Sequence, residues 1–234
     1  MSEPGVPTMP TLEGERLVKR YGTVAALDHV DFAVFPGEVL AVVGDNGSGK
    51  STLVRCLSGA EMPDEGVVRL DGRLVQFRNA RDGRVAGVNA VYQSLKAEPA
   101  LDLKNNLYRD REPSAPGPLG TVFTWMESKG LRKSAAEVPS KVIILDEPTA
   151  ALGARESVAV RKLIDHLRRG GLPIVVVSHS IPQVFGIADR IHVQCLGKRA
   201  AVVSPRVFAP DDVVAIMSGA LQVDEKDQAL RPVS

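Results

Sequence analysis

The chain has 234 residues, 44% of them hydrophobic and 24% charged, with a formal net charge of +1 at pH 7. That balance belongs to a soluble globular chain with enough apolar residues for one large or two small domains; the near-neutral charge excludes a general binder of nucleic acid or anionic membrane, and no apolar run reaches membrane-spanning length. Cys56 and Cys195 stand in no metal or redox spacing, so a reduced, cytosolic setting is expected.

Met1 to Pro10 is Pro-rich without an apolar core, which predicts no secretory signal, and residues 1–11 read as a flexible arm. Leu12–Val18 reads as a strand, Lys19–Gly22 as a turn, and Ala26–Val34 as a second strand that ends at the Pro36-Gly37 turn. These strands are expected to pair antiparallel beside whatever site follows. Tyr21 is worth notice because aromatic residues make up only 4% of the chain. It either caps a sheet edge or offers its π-face to a flat ring such as adenine.

Glu38–Val43 is an apolar, β-branched run and reads as a buried strand. Gly44-Asp45-Asn46-Gly47-Ser48-Gly49-Lys50-Ser51-Thr52 follows and fits G-x-x-x-x-G-K-[ST], the phosphate-binding loop. Leu53, Val54 and Leu57 then recur at helical spacing, so the loop lies between a strand and a helix, as the motif requires. Its glycines let successive N–H groups turn toward phosphate oxygens, and the helix adds its positive end. Lys50 is expected to reach the β- and γ-phosphates and Ser51 to hold Mg²⁺.

Val67–Leu70 and Leu74–Phe77 around Asp71-Gly72 predict a hairpin. Arg78–Gly83 is polar, helical or irregular, and Val85–Tyr92 reads as a strand with Gln93 at its end. From Ser94 to Ser140 the patterning weakens, and Glu112-Pro113-Ser114-Ala115-Pro116-Gly117-Pro118 suits neither helix nor central strand. Order returns at Val142–Leu145, a buried parallel-type strand closed by Asp146-Glu147. A helix from about Arg155 to Arg169 places Val158, Leu163, Ile164 and Leu167 near one face, and Gly170-Gly171 stop it. Pro173–Val177 is another buried strand, closed by Ser178-His179. Ile181–Ala188 reads as a short helix, Ile191–Cys195 and Ala200–Val203 as a strand pair around Gly197, and Asp211–Met217 as a last helix with an Asp cap.

Strands alternating with helices predict an α/β fold with a mostly parallel sheet, whose ligands bind at the carboxyl ends of the strands. Lys50 and Ser51, Asp146 and Glu147, Gln93, and His179 all fall at such ends. Asp146 is placed to hold Mg²⁺, Glu147 to polarise the attacking water as a general base, Gln93 to sense the metal or the water, and His179 to bond the γ-phosphate.

These residues, in this order, resemble the ATPase subunit of ATP-binding-cassette (ABC) transporters, over roughly residues 12–110 and 141–220. Tyr21 matches the adenine-stacking aromatic, Gly44–Thr52 the Walker A loop, Gln93 in Val91-Tyr92-Gln93 the Q-loop, Val142–Pro148 the Walker B strand with its catalytic Glu, and Ser178-His179 the switch histidine. Leu57-Ser58-Gly59-Ala60, Asp71-Gly72, the Asp146–Leu152 run and Met217-Ser218-Gly219-Ala220 are similar to the branch that imports simple sugars such as ribose, xylose or fructose.

The resemblance implies a P-loop NTPase core with a mostly parallel sheet, an antiparallel β subdomain and a truncated helical subdomain: an ATP-binding domain over 12–220, with 94–140 as the shortened part and 221–234 as a polar tail. It also implies ATP and Mg²⁺ as cofactors, a second ATPase subunit in a homodimer, a membrane permease, an external sugar-binding protein, no nucleic acid, and a cytoplasmic site on the inner face of the plasma membrane.

Two departures stand out. The family's Leu-Ser-Gly-Gly-Gln type signature is absent between Gln93 and Asp146, and Leu57-Ser58-Gly59 is no substitute because it ends the phosphate-loop helix. Gly153 stands where the family's D-loop carries Asp. Both changes fall where one subunit would complete the other's ATP cage, so ATP binding is expected to survive while hydrolysis is weak or lost. A nucleotide-binding module without transport work is the competing reading. A soluble cassette of DNA repair or translation is a third, opposed by the charge and by the sugar-branch phrases.

Overall fold

The computed structural model describes residues 9–91, 140–149, 154–224 and 228. The expectations for the 94–140 subdomain, Gln93, Gly153 and the missing signature lie outside the described residues. The strands are β1 (Leu12–Tyr21), β2 (Val24–Val34), β3 (Val39–Val43), β4 (Glu65–Leu70), β5 (Arg73–Val75), β6 (Val88–Val91), β7 (Val142–Asp146), β8 (Ile174–Val177), β9 (Arg190–Cys195) and β10 (Lys198–Val203). The helices are α1 (Lys50–Ser58), α2 (Ala80–Ala86), α3 (Ala154–Arg169), α4 (Ile181–Phe185) and α5 (Pro210–Met217).

Two sheets form. One is antiparallel, ordered β2-β1-β4-β5; the other is ordered β10-β9-β3-β8-β7-β6, parallel throughout except for the edge pair β9–β10. The period-2 geometry of β3 explains its unbroken apolar sequence. Leu40 and Val42 face α1 and the antiparallel sheet, where Leu53, Leu57, Phe32 and Leu70 complete one core. Val39 faces α3, and Ala41 and Val43 face α4 and α5. With both faces covered, β3 lies at the middle of the molecule and the loop that follows it emerges from packed structure.

Two polar features are built into this core. Glu38 and Arg190, each 2% exposed, pair at the starts of β3 and β9 (Nε to Oε1 2.5 Å), and Arg190 also donates to the Ala33 carbonyl at 2.8 Å. Burial of both ions is tolerable because the remaining donors and acceptors are met. His192 on β9 is fully enclosed, lies beside Phe32, and bonds Gln194 Oε1 through Nε2 at 3.0 Å. Burial pushes its pKa down to about 4, so it folds as a neutral ring.

Several boundaries differ from the sequence expectation. The Lys19–Gly22 turn is not there: β1 continues to Tyr21, which pairs with Val24 across Gly22 (φ 60) and Thr23. Ladder bonding to β2 overrides the polar character of Lys19 and Arg20. Val85 and Ala86 belong to α2 rather than to a strand, because Asn79 caps that helix by accepting from Arg81 and Asp82 N–H groups, and Gly87 (φ 105) ends it. Val158 is 41% exposed; the buried stripe of α3 is Val160, Leu163, Ile164 and Leu167, the i, i+3, i+4, i+7 positions of one face. The last helix takes Ala209 as its cap residue, Pro210 in its first turn, and a bond from Ala209 N–H to the Asp212 carboxylate at 2.8 Å. α4 is shorter than read, β5 stops at Val75, and Thr11 is not part of an arm: it bonds Val34 and Asp71 through its backbone. The tail is also engaged, with Gln228 accepting from Val202 N–H at 3.3 Å.

The buried histidine makes stability depend on pH. Its folded pKa lies below the unfolded value, so the stabilisation is full above about pH 6.5 and is lost as pH falls toward 4. In urea unfolding at pH 7 and pH 4.5, the parent chain is expected to lose about 2 kcal/mol more than His192→Leu. An equal loss in both would remove His192 from the account.

Candidate functional site

The carboxyl edge of the parallel sheet gathers the chemistry. Val42, Val177 and Asp146 are register partners across β3, β8 and β7, which puts the ends of β3 and β7 two strand spacings, about 10 Å, apart. Glu147 N–H donates to the Val177 carbonyl and Ser178 N–H to the Val42 carbonyl, so the strand ends are stitched together where the phosphate loop begins.

The loop is held from behind. Gly44 has φ 154, and a Cβ there would sit 2.2 Å from the Gln194 carbonyl and 2.6 Å from Ser48 Oγ. Gly49 has φ 103, and its Cβ would sit 2.3 Å from the Ala26 carbonyl and 3.3 Å from Gln194 Nε2. Gly197 N–H bonds the Ser48 carbonyl, and the Gly197 carbonyl accepts from Asp28 N–H. The β9–β10 turn and β2 therefore press the loop's back, while Asp45, Asn46 and Gly47 stay exposed.

α1 starts at Lys50 with no side-chain cap at Gly49. The N–H groups of its first turn are left for a ligand to satisfy. Ser48 Oγ and Gln194 Nε2 are buried without a hydrogen-bond partner among the described residues. A cradle that only glycine fits, an uncapped helix start and an orphaned hydroxyl suit a polyanion.

Lys50 is 9% exposed, and its ammonium donates to the Gly44 and Asp45 carbonyls at 2.8 Å each. Burial lowers its pKa, opposed by the fields of Glu147, Asp146 and Asp45. Burial and then Glu147 raise that of Asp146, opposed by Lys50. The ammonium and the two carboxylates therefore lie within one another's fields. Ser51 is exposed beside them and Thr52 half-buried.

Glu147 has the left-handed backbone φ of 52, which costs a non-glycine residue about 1 kcal/mol and turns its side chain back toward β8. Its Oε1 accepts from His179 N–H at 3.0 Å and meets His179 Nδ1 at 2.6 Å. The His179 side chain is 67% exposed. Tyr21 lies at the end of β1, 45% exposed, with its hydroxyl on Glu61. The structure thus brings Gly44 to Thr52, Asp146, Glu147 and His179 together and sets Tyr21 beside α1; Gln93 lies outside the described residues. Sequence reasoning missed Gln194, Gly197 and Glu61 as parts of this site. Only the glycine at 197, read as a turn, carried a signal.

Residues 27–139 match the ABC transporter family. The chain is 43% identical over 246 aligned positions to the fructose import ATP-binding protein FrcA of Rhizobium meliloti, covering 90% of this chain and 95% of the relative. The alignment is longer than the 234 residues of this chain, so the relative has residues where this chain has none. The xylose/arabinose import ATP-binding protein XylG of Sulfolobus acidocaldarius is 34% identical over 80% of this chain and 85% of its own length. The ribose import ATP-binding protein RbsA 1 of Rubrobacter xylanophilus is 33% identical over 90% of this chain, which spans 47% of that longer protein. Among solved structures, a nucleotide-free ATP-binding cassette from an ABC transporter superposes with a TM-score of 0.67 at 21% identity, covering 94% of this chain and 97% of that one. A dimeric cassette in a post-hydrolysis state bound to ADP and Pi gives 0.64 at 20% identity, covering 84% and 100%. These structural likenesses establish the α/β fold with its parallel and antiparallel sheets.

The close approaches behind the loop set unequal costs for added methyl groups. Gly49→Ala is expected to destabilise the chain by about 3 kcal/mol, through backbone overlap on top of a strained φ. Gly47→Ala, with φ 81 but nothing within 4 Å, should cost about 1 kcal/mol. Urea midpoints of the two variants check this; equal midpoints would show that the loop's back is not tightly held.

Proposed function

The chain belongs to the ABC transporter family, whose ATP-binding proteins are ATPases, and from that premise we propose that it is the ATP-binding subunit of an importer for a simple sugar. The convergence of the glycine cradle, Lys50, Asp146, Glu147 and His179 on one sheet edge carries the reading. The likeness to fructose, xylose/arabinose and ribose import proteins supports the substrate class.

Each residue has a role in this reading. Backbone N–H groups from Gly44 to Thr52 bind the phosphate oxygens, and Lys50 exchanges its two loop carbonyls for the β- and γ-phosphates. Tyr21 stacks on the adenine. Ser51 and Asp146, with Gln93, would hold Mg²⁺, which when bound neutralises charge between the β- and γ-phosphates. Glu147 takes the proton of the attacking water. With His179 Nδ1 on that carboxylate, a hydrogen bond from Nε2 to the γ-phosphate requires the ring to carry both protons.

A second subunit, a membrane permease and an external sugar-binding protein are the partners, and the inner face of the plasma membrane is the working place. No described helix is long and apolar enough to cross a membrane. The domain spans 12–220, with 94–140 as a shortened part. The absent Leu-Ser-Gly-Gly-Gln stretch supports weak or lost dimer-coupled hydrolysis. It equally favours the second reading, a nucleotide-binding module without transport work.

Two measurements test the nucleotide chemistry, and a third separates the two readings. ATP should bind, with affinity lowered at least about tenfold by Lys50→Ala, the loss of a charged hydrogen-bonding group; absence of binding in the parent would overturn the proposal. Steady-state hydrolysis should be low and little changed by Glu147→Gln, and robust turnover abolished by that substitution would overturn the impaired-hydrolysis part. Recovery with membranes alongside a permease favours transport over the isolated module.

A further inference from the structure

We propose that Glu61 is a positioning residue for the nucleobase: by holding the Tyr21 hydroxyl it fixes the ring on which the base stacks relative to the phosphate loop. The proposal rests on the reading of Tyr21 as the base platform.

A tyrosine at the end of a strand has free rotation at two side-chain bonds. Here its tip is tethered. The hydroxyl bonds Glu61 Oε2, and the other carboxylate oxygen accepts from Arg55 Nη1 at 3.1 Å. Glu61 N–H in turn donates to the Arg55 carbonyl at 3.1 Å, so Glu61 is fixed to the last turn of α1 by both backbone and side chain. The first turn of that helix carries Lys50, Ser51 and Thr52. The Lys19 ammonium stands over the ring 5.9 Å from its centroid, held by the Met62 carbonyl at 2.8 Å and Asp64 at 3.0 Å.

The consequence is a rigid path from phosphate loop to base platform through α1 rather than through β1 alone. Tyr21 and the loop lie on different sheets, and a stacked base linked to a bound triphosphate needs both at a set separation. Burial and Glu61 raise the phenol pKa, opposed by Thr52, so the hydroxyl stays a donor. A carboxylate acceptor makes the bond stronger than a neutral one would. Glu61 touches neither base nor phosphate in this scheme; it acts through Tyr21.

Calorimetric titration of the full chain with ATP, and separately with inorganic tripolyphosphate, tests the proposal, because tripolyphosphate uses the loop but has no base. Tyr21→Ala should weaken ATP about tenfold and leave tripolyphosphate unmoved; if ATP is unmoved too, the platform reading itself fails. Given that platform, Glu61→Ala should weaken ATP about three- to fivefold, the size of one hydrogen bond, and spare tripolyphosphate. Glu61→Gln should recover most of the loss, since its amide oxygen still accepts the phenol proton. Tyr21→Phe, which keeps the ring, should match Glu61→Ala, and the double variant should be no weaker than either single one. The proposal is overturned if Glu61→Ala binds ATP like the parent while Tyr21→Ala does not, if Glu61→Ala weakens both ligands equally, or if the losses in the double variant add.

Discussion

The nucleotide edge depends on one close approach: the backbone of the phosphate loop lies directly against carbonyl groups of β2 and β9. At Gly44 and Gly49 there is no room for a single methyl group, and the Gly197 and Ser48 backbones are bonded across the same seam. A loop backed by rigid carbonyls can relax only outward, toward a ligand. Its N–H groups are therefore aimed before anything binds, and the ordering cost of binding falls on the ligand rather than on the protein. The β9–β10 hairpin, which has no phosphate chemistry of its own, is needed for the site because it supplies that backing.

The charges at the same edge are arranged with similar economy. A buried ammonium without partners would be costly. Lys50 meets that cost with the carbonyls of Gly44 and Asp45, groups from the very loop that precedes it, and with the field of Asp146 and Glu147. The bonds are local and exchangeable, so phosphate oxygens can replace them without unfolding anything. Glu147 shows a different device. Its left-handed backbone lets a residue just past a strand end reach its neighbour, and the two contacts to His179 hold it there. Strain kept at such a place by surrounding bonds is a mark of sites where geometry matters more than stability.

The legible part of this protein was whatever is local in sequence. The phosphate loop is contiguous, and the strands before Gly44, Asp146 and Ser178 are apolar runs whose ends mark themselves, so the edge and its fold class followed from pattern alone. What escaped was of two kinds. Contacts between distant segments leave no local trace: Gln194 behind Gly49, Glu61 on Tyr21 and the Glu38–Arg190 pair each join residues that no spacing rule connects. Local competitions were also misjudged. Asn79 followed by Asp82 is a helix-start signal that outweighs the β-branched Val85, and one stripe of α3 was drawn through Val158 when Val160 keeps the better phase with Leu163, Ile164 and Leu167.

Those distant contacts share a direction. In the proposed reading the phosphate half of the site is built on the parallel sheet and the base half on the antiparallel one, and a nucleotide would engage both. Sheets packed only through apolar side chains can slide by fractions of an ångström at small cost, because dispersion contacts are many and individually weak. Hydrogen bonds have a narrow range of length and angle, so a few of them set the spacing that packing leaves loose. Asp28 N–H on the Gly197 carbonyl ties β2 to the hairpin behind the loop, and Arg190 on the Ala33 carbonyl ties β9 to the far end of β2. Tyr21 on Glu61 ties β1 to α1. Polar links of this kind stand along the seam between the sheets, Lys141 on Asp71 among them, and Tyr21 on Glu61 lies at the proposed base platform. Apolar burial makes the two sheets one body, while these bonds determine where one half of the site stands relative to the other.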